Sequence, residues 1–316
     1  MIKQMAPSYL YLYSWQTNEA ELCQLEMRAL FGADTNSNIL LSSVKVEPSR
    51  SPFIRSRLDV LYEANEVAEI TRFAEDLELG EVTFKVVCLN SVDLGDTKKI
   101  PQDERHQVER DIALTMRAEP DLKNPDLVFG VVLNNNRWYF GHYVEGEAIW
   151  LKHQQKPEMY STALSTRVAR AVANIAIPNP EGVRAIDPCC GIGTVLVEAL
   201  SMDMNIVGSD INPLVVKGSR TNIAHFGLQG DVSKSDIAQI TESYDVAIID
   251  MPYNLFTHIS IDGQFTIIKE VRRIARRVVL VSIDTIDEMV HKVGFEIVDR
   301  CIVRKGTFER QVLVCE

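Results

Sequence analysis

Four aspartates stand at the ends of apolar runs in the second half of the chain. They are Asp187 after GVRAI, Asp210 after NIVGS, Asp231 after HFGLQG and Asp250 after YDVAII. If each run is a strand of one parallel sheet, the four carboxylates meet at its carboxyl edge, where open α/β sheets bind their ligands. Carboxylates there can accept hydrogen bonds from hydroxyl and amino groups, so the pattern predicts a binding site.

The first of these runs leads into a glycine turn and an apolar helix, DPCCGIGTVLVEA, with glycines at Gly191 and Gly193. Such a turn lets the backbone approach a nucleotide-like ligand closely. The dinucleotide fingerprint requires a third glycine three residues later, where this chain has Leu196. The turn therefore favours a cofactor without phosphate, and we predict S-adenosylmethionine above the nicotinamide and flavin nucleotides.

The second and third strand ends suit the rest of that cofactor. Asp210 can accept both ribose hydroxyls, and Asp231 could accept from the adenine amino group while the N–H of Val232 meets a ring nitrogen. A lone aspartate at a strand end is as often a helix cap or a solvated side chain. The ordered series of four is what favours a cofactor site.

The fourth run continues into Asp250, Met251, Pro252 and Tyr253, which suits methylation of an exocyclic amine on a planar base. The lone pair of such a nitrogen is delocalised, and two acceptors, the Asp250 carboxylate and the Met251 carbonyl, would localise it and stabilise the developing charge. Tyr253 could stack on the base, worth ~1–3 kcal/mol. The chemistry needs no metal. The same residues could be only a turn, but three preceding cofactor-type strand ends favour catalysis.

Composition limits the class of protein. The chain has 316 residues, a net charge of −11 and no apolar run long enough to cross a bilayer. Its six cysteines form no CxxC pair and no histidine stands at zinc spacing from them, so free thiols in a reducing cytoplasm are predicted. Bulk charge does not predict nucleic-acid binding. That binding would need local basic patches, here in a predicted helix 263–277 and at Arg304, Lys305 and Arg310 of a closing hairpin.

The two halves of the chain differ in pattern. The first half mixes strands and helices without a glycine turn, as in an α+β recognition module, and it ends in a hairpin whose turn is Asn134, Asn135 and Asn136. A linker over 145–157 follows. The doubly wound pattern then runs to the end of the chain, which predicts an α/β catalytic domain.

DPCCGIGT, the strand-end acids, the DMPY segment and the closing hairpin resemble class I S-adenosylmethionine-dependent amino-methyltransferases. More narrowly, MYSTALSTRVARAVANIA, FKVVCLN, ERHQVERDIAL and PDLVFGVVL resemble the THUMP-containing tRNA guanosine-N2 methyltransferases of the guanosine-10 type. The resemblance implies a Rossmann-like methyltransferase domain with a mixed seven-stranded sheet over 157–316. It also implies a ferredoxin-like segment over 1–52 and a THUMP-like RNA-binding domain over 53–150.

The resemblance also assigns roles to residues. Asp187, Gly191 and Gly193 would bind the methionine part of the cofactor, Asp210 its ribose and Asp231 its adenine, and Asp250, Pro252 and Tyr253 the target base. Thr194 would also bind the cofactor. The chain departs from the family pattern at Met251, where the family has proline, and at Asn254, where it has glycine. Loss of the proline ring would leave the carbonyl acceptor less preorganised.

We therefore predict a cytoplasmic RNA methyltransferase acting on N2 of a tRNA guanosine. Two alternatives remain open, a non-catalytic RNA-binding protein that keeps the cofactor fold and a DNA amino-methyltransferase. A nicotinamide dehydrogenase is disfavoured, since the third glycine and a hydride-transfer set of His and Arg are missing. The sequence leaves the RNA, the modified nucleotide and the oligomeric state open.

Overall fold

The computed structural model describes residues 8–34, 37–89, 100–160, 163–252, 259–305 and 308–316, with the backbone alone at 305 and 308. The described strands are β1 (Tyr9–Tyr13), β2 (Ile39–Ser42), β3 (Ile54–Ala64), β4 (Thr83–Cys88), β5 (Glu119–Pro120), β6 (Leu127–Asn134), β7 (Arg137–Glu145), β8 (Ala185–Asp187), β9 (Ile206–Asp210), β10 (Val232–Lys234), β11 (Tyr244–Asp250), β12 (Ala275–Ser282), β13 (Ile297–Lys305) and β14 (Phe308–Cys315). The described helices are α1 (Ala20–Phe31), α2 (Val67–Glu75), α3 (Gln102–Ala113), α4 (Ile149–His153), α5 (Thr166–Ala176), α6 (Thr194–Leu200), α7 (Pro213–His225), α8 (Ile261–Ile274) and α9 (Asp287–Lys292).

The chain forms two compact units. Unit 1 comprises Met1–Ser14, Thr35–Ser49 and Phe53–Glu147, and unit 2 comprises Trp15–Asp34, Arg50–Pro52 and Ala148–Glu316. No helix within the described ranges combines the length and apolar composition needed to cross a bilayer.

Unit 1 is a seven-stranded sheet in the order β2-β1-β3-β7-β6-β4-β5. The β4 strand is parallel to β6 and β5, while the other pairs are antiparallel. Helices α2 and α3 contribute to a core built around Phe84, Phe129 and Phe140. The predicted β6–β7 hairpin is confirmed, and its turn residues Asn135 and Asn136 have φ of 48° and 59°, which asparagine tolerates better than most residues.

Unit 2 is built on a second sheet, in the order β10-β9-β8-β11-β12-β14-β13. The first five strands are parallel, and β14 is antiparallel to both of its neighbours. The predicted α/β class with a mixed seven-stranded, Rossmann-like sheet is therefore confirmed. The strand order reverses between β8 and β11, so the carboxyl edge at that switch point is the expected place of a ligand crevice.

The two faces of this sheet are covered by different helices. Helices α8 and α9 pack on one face, where Ala247, Ile249 and Leu280 belong to a buried cluster. Side chains alternate along each strand, so Ile248 and Asp250 point to the other face. That face is contacted by α5, which packs against β11, β12 and β14.

Helix α1 belongs to unit 2, although it precedes most of unit 1 in the chain. Its buried Glu26 accepts hydrogen bonds from Ser51 Oγ and, at 2.6 Å, from Asn174 Nδ2 on α5. Arg50 Nε also donates to Asn174, over 2.9 Å. The structural division therefore differs from the predicted boundary at residue 52, because these buried polar contacts bind residues 15–34 and 50–52 to α5. The names ferredoxin-like and THUMP for the first part of the chain remain predictions.

Candidate functional site

A cavity of about 720 Å³ opens at the carboxyl edge of the unit 2 sheet, a size typical of small-molecule sites. Three of the predicted strand-end acids, Asp187, Asp210 and Asp250, line it together with Asp236. These come from β8, β9, β11 and the loop after β10. The described residues around the cavity include no Lys, Arg or His, so its walls carry only acidic charge.

The glycine turn borders this cavity, and its two glycines have different functions. Gly191, with φ of 53°, lines the cavity and donates its N–H to Asp210 Oδ2 over 3.0 Å. Gly193, with φ of 77°, is the N-cap of α6, and a Cβ there would lie 2.2 Å from Ser219 Oγ of α7. The structure therefore brings Gly191 to the site, while Gly193 permits the close packing of α6 against α7.

Thr194, the first residue of α6, also lines the cavity. Its Oγ1 is buried, and the described residues give it no hydrogen-bond partner. A buried hydroxyl without a partner costs free energy, about 1–3 kcal/mol in proteins, unless a ligand or water binds it. Thr194 is therefore placed to receive a polar ligand atom.

Asp187 ends β8 and is 3% exposed. One of its oxygens accepts the N–H of Cys189 at 3.2 Å. Burial raises the pKa of this carboxyl well above its usual range, and the negative charges of Asp250 and Asp210 raise it further. A cationic ligand would relieve this unfavourable placement of charge.

Asp210 ends β9 and fixes the turn on each side of it. Its Oδ2 accepts from Gly191 N, and its Oδ1 accepts from Asn212 N over 2.9 Å. Each carboxylate oxygen has a second lone pair, so both can still accept a hydrogen bond from a ligand hydroxyl. The structure thus agrees with the predicted placement of Asp210 at the cavity.

The prediction that Asp231 ends a strand is wrong. His225 ends α7, Phe226 and Gly227 form a turn in which Gly227 has a φ of 68°, and β10 begins only at Val232. Asp231 therefore lies at the amino end of the strand, away from the cavity. The acid at the carboxyl end is Asp236, which lines the cavity and whose Oδ1 accepts from Ala238 N at 2.9 Å.

Asp250 ends β11, and one of its two carboxyl oxygens is buried and unsatisfied. Its Oδ1 is buried, with no hydrogen-bond partner in the part of the chain that the structure describes. Burial raises the pKa of this carboxyl to about 7, against the opposing positive charge of Arg310. A carboxyl in this state is poised to accept a hydrogen bond or a proton near neutral pH.

Met251 is held in place differently from the family proline. Its N–H donates to Val281 O over 2.8 Å, which extends the β11–β12 pairing beyond Asp250, and its side chain is 2% exposed. A proline would have no N–H for this bond. The backbone is therefore fixed here without the ring. Pro252 lines the cavity, whereas Tyr253 lies outside the described residues.

Several arginines of the two predicted basic patches are paired with carboxylates. The predicted helix 263–277 ends at Ile274, so Arg276 and Arg277 belong to β12, at the sheet edge opposite Asp250. Arg276 pairs with Asp245, and Arg277 pairs with Glu316. In the closing hairpin, Arg304 binds Glu21 and Glu309, and Arg310 is half-buried.

The lining residues fit S-adenosylmethionine. Four carboxylates suit a cofactor with a sulfonium and an ammonium group, whereas a pyrophosphate would meet only repulsion there. The unpartnered oxygens of Thr194 and Asp250 supply acceptors toward the cavity. Across the described ranges, no group of His, Cys, Asp and Glu is arranged to hold a metal ion.

Residues 154–261 match the family model UPF0020, described as an RMKL-like methyltransferase domain. The chain is 27% identical over 209 residues to a tRNA (guanine(10)-N2)-dimethyltransferase of Methanothermobacter thermautotrophicus, covering 61% of each chain. It is 26% identical to the U6 snRNA (guanine-N(2))-methyltransferase THUMPD2 of Mus musculus, covering 67% of this chain and 40% of that protein. The crystal structure of TrmN from Thermus thermophilus aligns with 98% of this chain and 99% of its own, at 18% identity and a TM-score of 0.49.

The chain thus spans less than two thirds of the length of the curated relatives it matches. The matched segment contains every residue that we predicted for the site, from Asp187 to Tyr253. It also contains Asp236, which sequence reasoning missed. Residues 154–261 of this chain are therefore similar to the UPF0020 family of methyltransferase domains.

Proposed function

We propose that this protein is an S-adenosylmethionine-dependent RNA methyltransferase that methylates the exocyclic N2 of a tRNA guanosine. The observation that carries the proposal is the placement of Asp250. Its buried Oδ1, which has no hydrogen-bond partner among the described residues, lies at a strand tip on an acidic cavity that fits a cationic nucleoside cofactor.

The cofactor would be held by residues that line the cavity. Asp187, Gly191 and Thr194 would hold the methionine part, and Asp210 would hold the ribose. We assign the adenine to Asp236 in place of Asp231, because Asp236 is the acid at the carboxyl end of β10. Gly193 acts indirectly, by letting α6 pack so that the turn keeps its shape. When bound, the cofactor supplies an electrophilic methyl group.

The chain's own residues would activate the amine. Ionised Asp250 and the carbonyl of Met251 would accept the two N–H bonds of the amine, which localises the nitrogen lone pair. Pro252 lines the cavity beside them, and stacking of Tyr253 on the base remains a prediction. After transfer the nitrogen carries an extra proton, and Asp250, with a pKa of about 7, is the group placed to accept it.

The choice of RNA as substrate rests on the named relatives. Both act on a guanine N2 according to their names, one in tRNA and one in U6 snRNA. A base inside a duplex would have to be flipped out to enter such a cavity. We propose tRNA as the substrate, unit 1 as a THUMP-like RNA-binding unit, and the cytoplasm as the place of action.

The direct test incubates the full chain with S-adenosylmethionine and unmodified tRNA transcripts, followed by nucleoside mass spectrometry. We expect N2-methylated guanosine, with loss of the signal when the guanosine at position 10 is replaced by adenosine. Parallel reactions with U6 RNA and with duplex DNA test the other substrate classes. Calorimetric binding of S-adenosylmethionine with no methylated nucleoside in any reaction would contradict the proposal and select a non-catalytic RNA-binding protein.

A further inference from the structure

Arg310 lies on the same face and at the same edge of the unit 2 sheet as Asp250. The register pairs Asp250 with Val281 across β11 and β12, and Val281 with Val312 across β12 and β14. Arg310 precedes Val312 by two residues, so it points to the same face. Because β14 is antiparallel to β12, those two residues carry Arg310 further toward the carboxyl edge, where the cavity opens.

The two side chains interact through their charges, and both are partly buried. Burial raises the pKa of Asp250, and the positive charge of Arg310 opposes that rise. Burial lowers the pKa of Arg310, and the negative charge of Asp250 opposes that fall. Arg310 is not one of the residues that line the cavity, so it would act through Asp250.

The other charged groups that the structure describes around Asp250 do not supply this positive charge. Asp187 on β8, Asp210 on β9 and Asp236 after β10 are acidic and share the cavity with Asp250. On the face shared with Arg310, helix α5 carries Arg167 and Arg170, which are paired with Glu19 and Glu198.

We propose that Arg310 is a positioning residue for methyl transfer, whose guanidinium keeps the Asp250 carboxyl ionised and able to accept the target amine. This inference rests on the proposed function for its catalytic meaning. The electrostatic statement itself concerns the free protein, so it can be tested whether or not the RNA substrate has been identified.

Removing the positive charge should make Asp250 harder to ionise. An opposite charge within a few ångströms typically shifts a carboxyl pKa by about 1–3 units, and we take ~1 unit here, the lower end of that range. With a starting pKa of about 7, the ionised fraction at pH 7.5 would fall about threefold. By about pH 9 the ionised fraction of Asp250 would be nearly the same with and without the Arg310 charge, because the carboxyl is almost fully ionised in both proteins.

The test is a pH titration of the full chain labelled with ¹³C at the aspartate carboxyl carbons, with the Asp250 resonance assigned by its loss in Asp250→Asn. Arg310→Gln should raise the titration midpoint of Asp250 by about one unit, and Arg310→Lys, which keeps the charge, should largely restore it. Arg310→Met serves as a second neutral variant if Arg310→Gln does not fold. The control is Arg300→Gln on β13, whose partner is Asp287, and it should leave the midpoint unchanged.

Activity gives the second readout. For the active wild-type enzyme, Arg310→Gln should lower the methyl-transfer rate about threefold at pH 7.5 and recover toward pH 9. An unchanged titration midpoint of Asp250 in the neutral variants would overturn the inference. The same holds if those variants bind tRNA more weakly while the midpoint stays unchanged, since the arginine would then contact RNA instead. Failure of the proposed function would show separately, as a wild-type protein that methylates no RNA while the shift in the midpoint is still present.

Discussion

Replacing either glycine of the cofactor turn by alanine should have a different main effect: a larger loss of stability at Gly193 and a larger loss of cofactor affinity at Gly191. Gly193→Ala would place a Cβ 2.2 Å from Ser219 Oγ at a φ of 77°, whereas Gly191→Ala would meet no atom within 4 Å at a φ of 53°. A left-handed backbone costs an alanine about 1–2 kcal/mol, and overpacking adds about 1–3 kcal/mol. We expect Gly193→Ala to lower the free energy of unfolding by about 2–5 kcal/mol, and Gly191→Ala by about 1–2 kcal/mol.

Cofactor affinity should fall more in Gly191→Ala than in Gly193→Ala, because Gly191 lines the cavity and Gly193 does not. Urea unfolding gives the stabilities, and calorimetry at a temperature where all variants are folded gives the dissociation constants. Ser219→Ala should be nearly neutral in the wild-type background and should recover part of the loss in Gly193→Ala, because it removes the nearest atom. Equal losses of stability at the two glycines, or no recovery from Ser219→Ala, would refute the reasoning.

Three further results follow from the structure. Asp236→Ala should weaken cofactor binding measured by calorimetry, while Asp231→Ala should not, and equal effects would restore the original placement of Asp231. Glu198→Gln should lower the free energy of unfolding by about 3–5 kcal/mol, because Arg170, which is 1% exposed, loses the negative charge that it is paired with. A loss below about 1 kcal/mol would mean that water reaches this arginine. Burial raises the pKa of Glu26 from 4.5 to about 7, so between these values the folded state holds a proton that the unfolded chain has lost. The free energy of unfolding should therefore fall as pH rises through this window, and Glu26→Gln should reduce that fall by on the order of 3 kcal/mol. If urea unfolding gives the same pH dependence of stability for Glu26→Gln and the wild type, the raised pKa of Glu26 is contradicted.

The parts of the site that sequence could predict depend on local pattern and on one rule of topology. Asp187, Asp210 and Asp250 each follow a clear apolar strand, and the ends of parallel strands meet at one edge whatever packs around them. The prediction for Asp231 failed because Phe226 and Leu228 resemble part of an apolar strand, whereas they lie in the turn and loop that follow α7. The strand β10 is only three residues long, so its own pattern was too short to reveal Asp236.

Other features could not be predicted because they depend on contacts between distant parts of the chain. The interaction of Arg310 with Asp250 requires the register of an antiparallel strand that joins the sheet last in sequence. The packing of α1 in unit 2 requires Glu26 to meet Asn174, which is 148 residues away. The replacement of the family proline by Met251 looked like a loss of preorganisation, since sequence does not show the bond from its N–H to Val281 O.

The central claim, that Asp250 accepts the amine of the target base, is tested most directly by single-turnover methyl transfer to unmodified tRNA with wild-type protein and Asp250→Asn. The rate should fall by about 10²–10³-fold, the usual cost of removing one electrostatic contact to a transition state. The dissociation constant for S-adenosylmethionine should stay within about twofold, because other residues hold the cofactor. An Asp250→Asn protein that transfers methyl at the wild-type rate would contradict the claim.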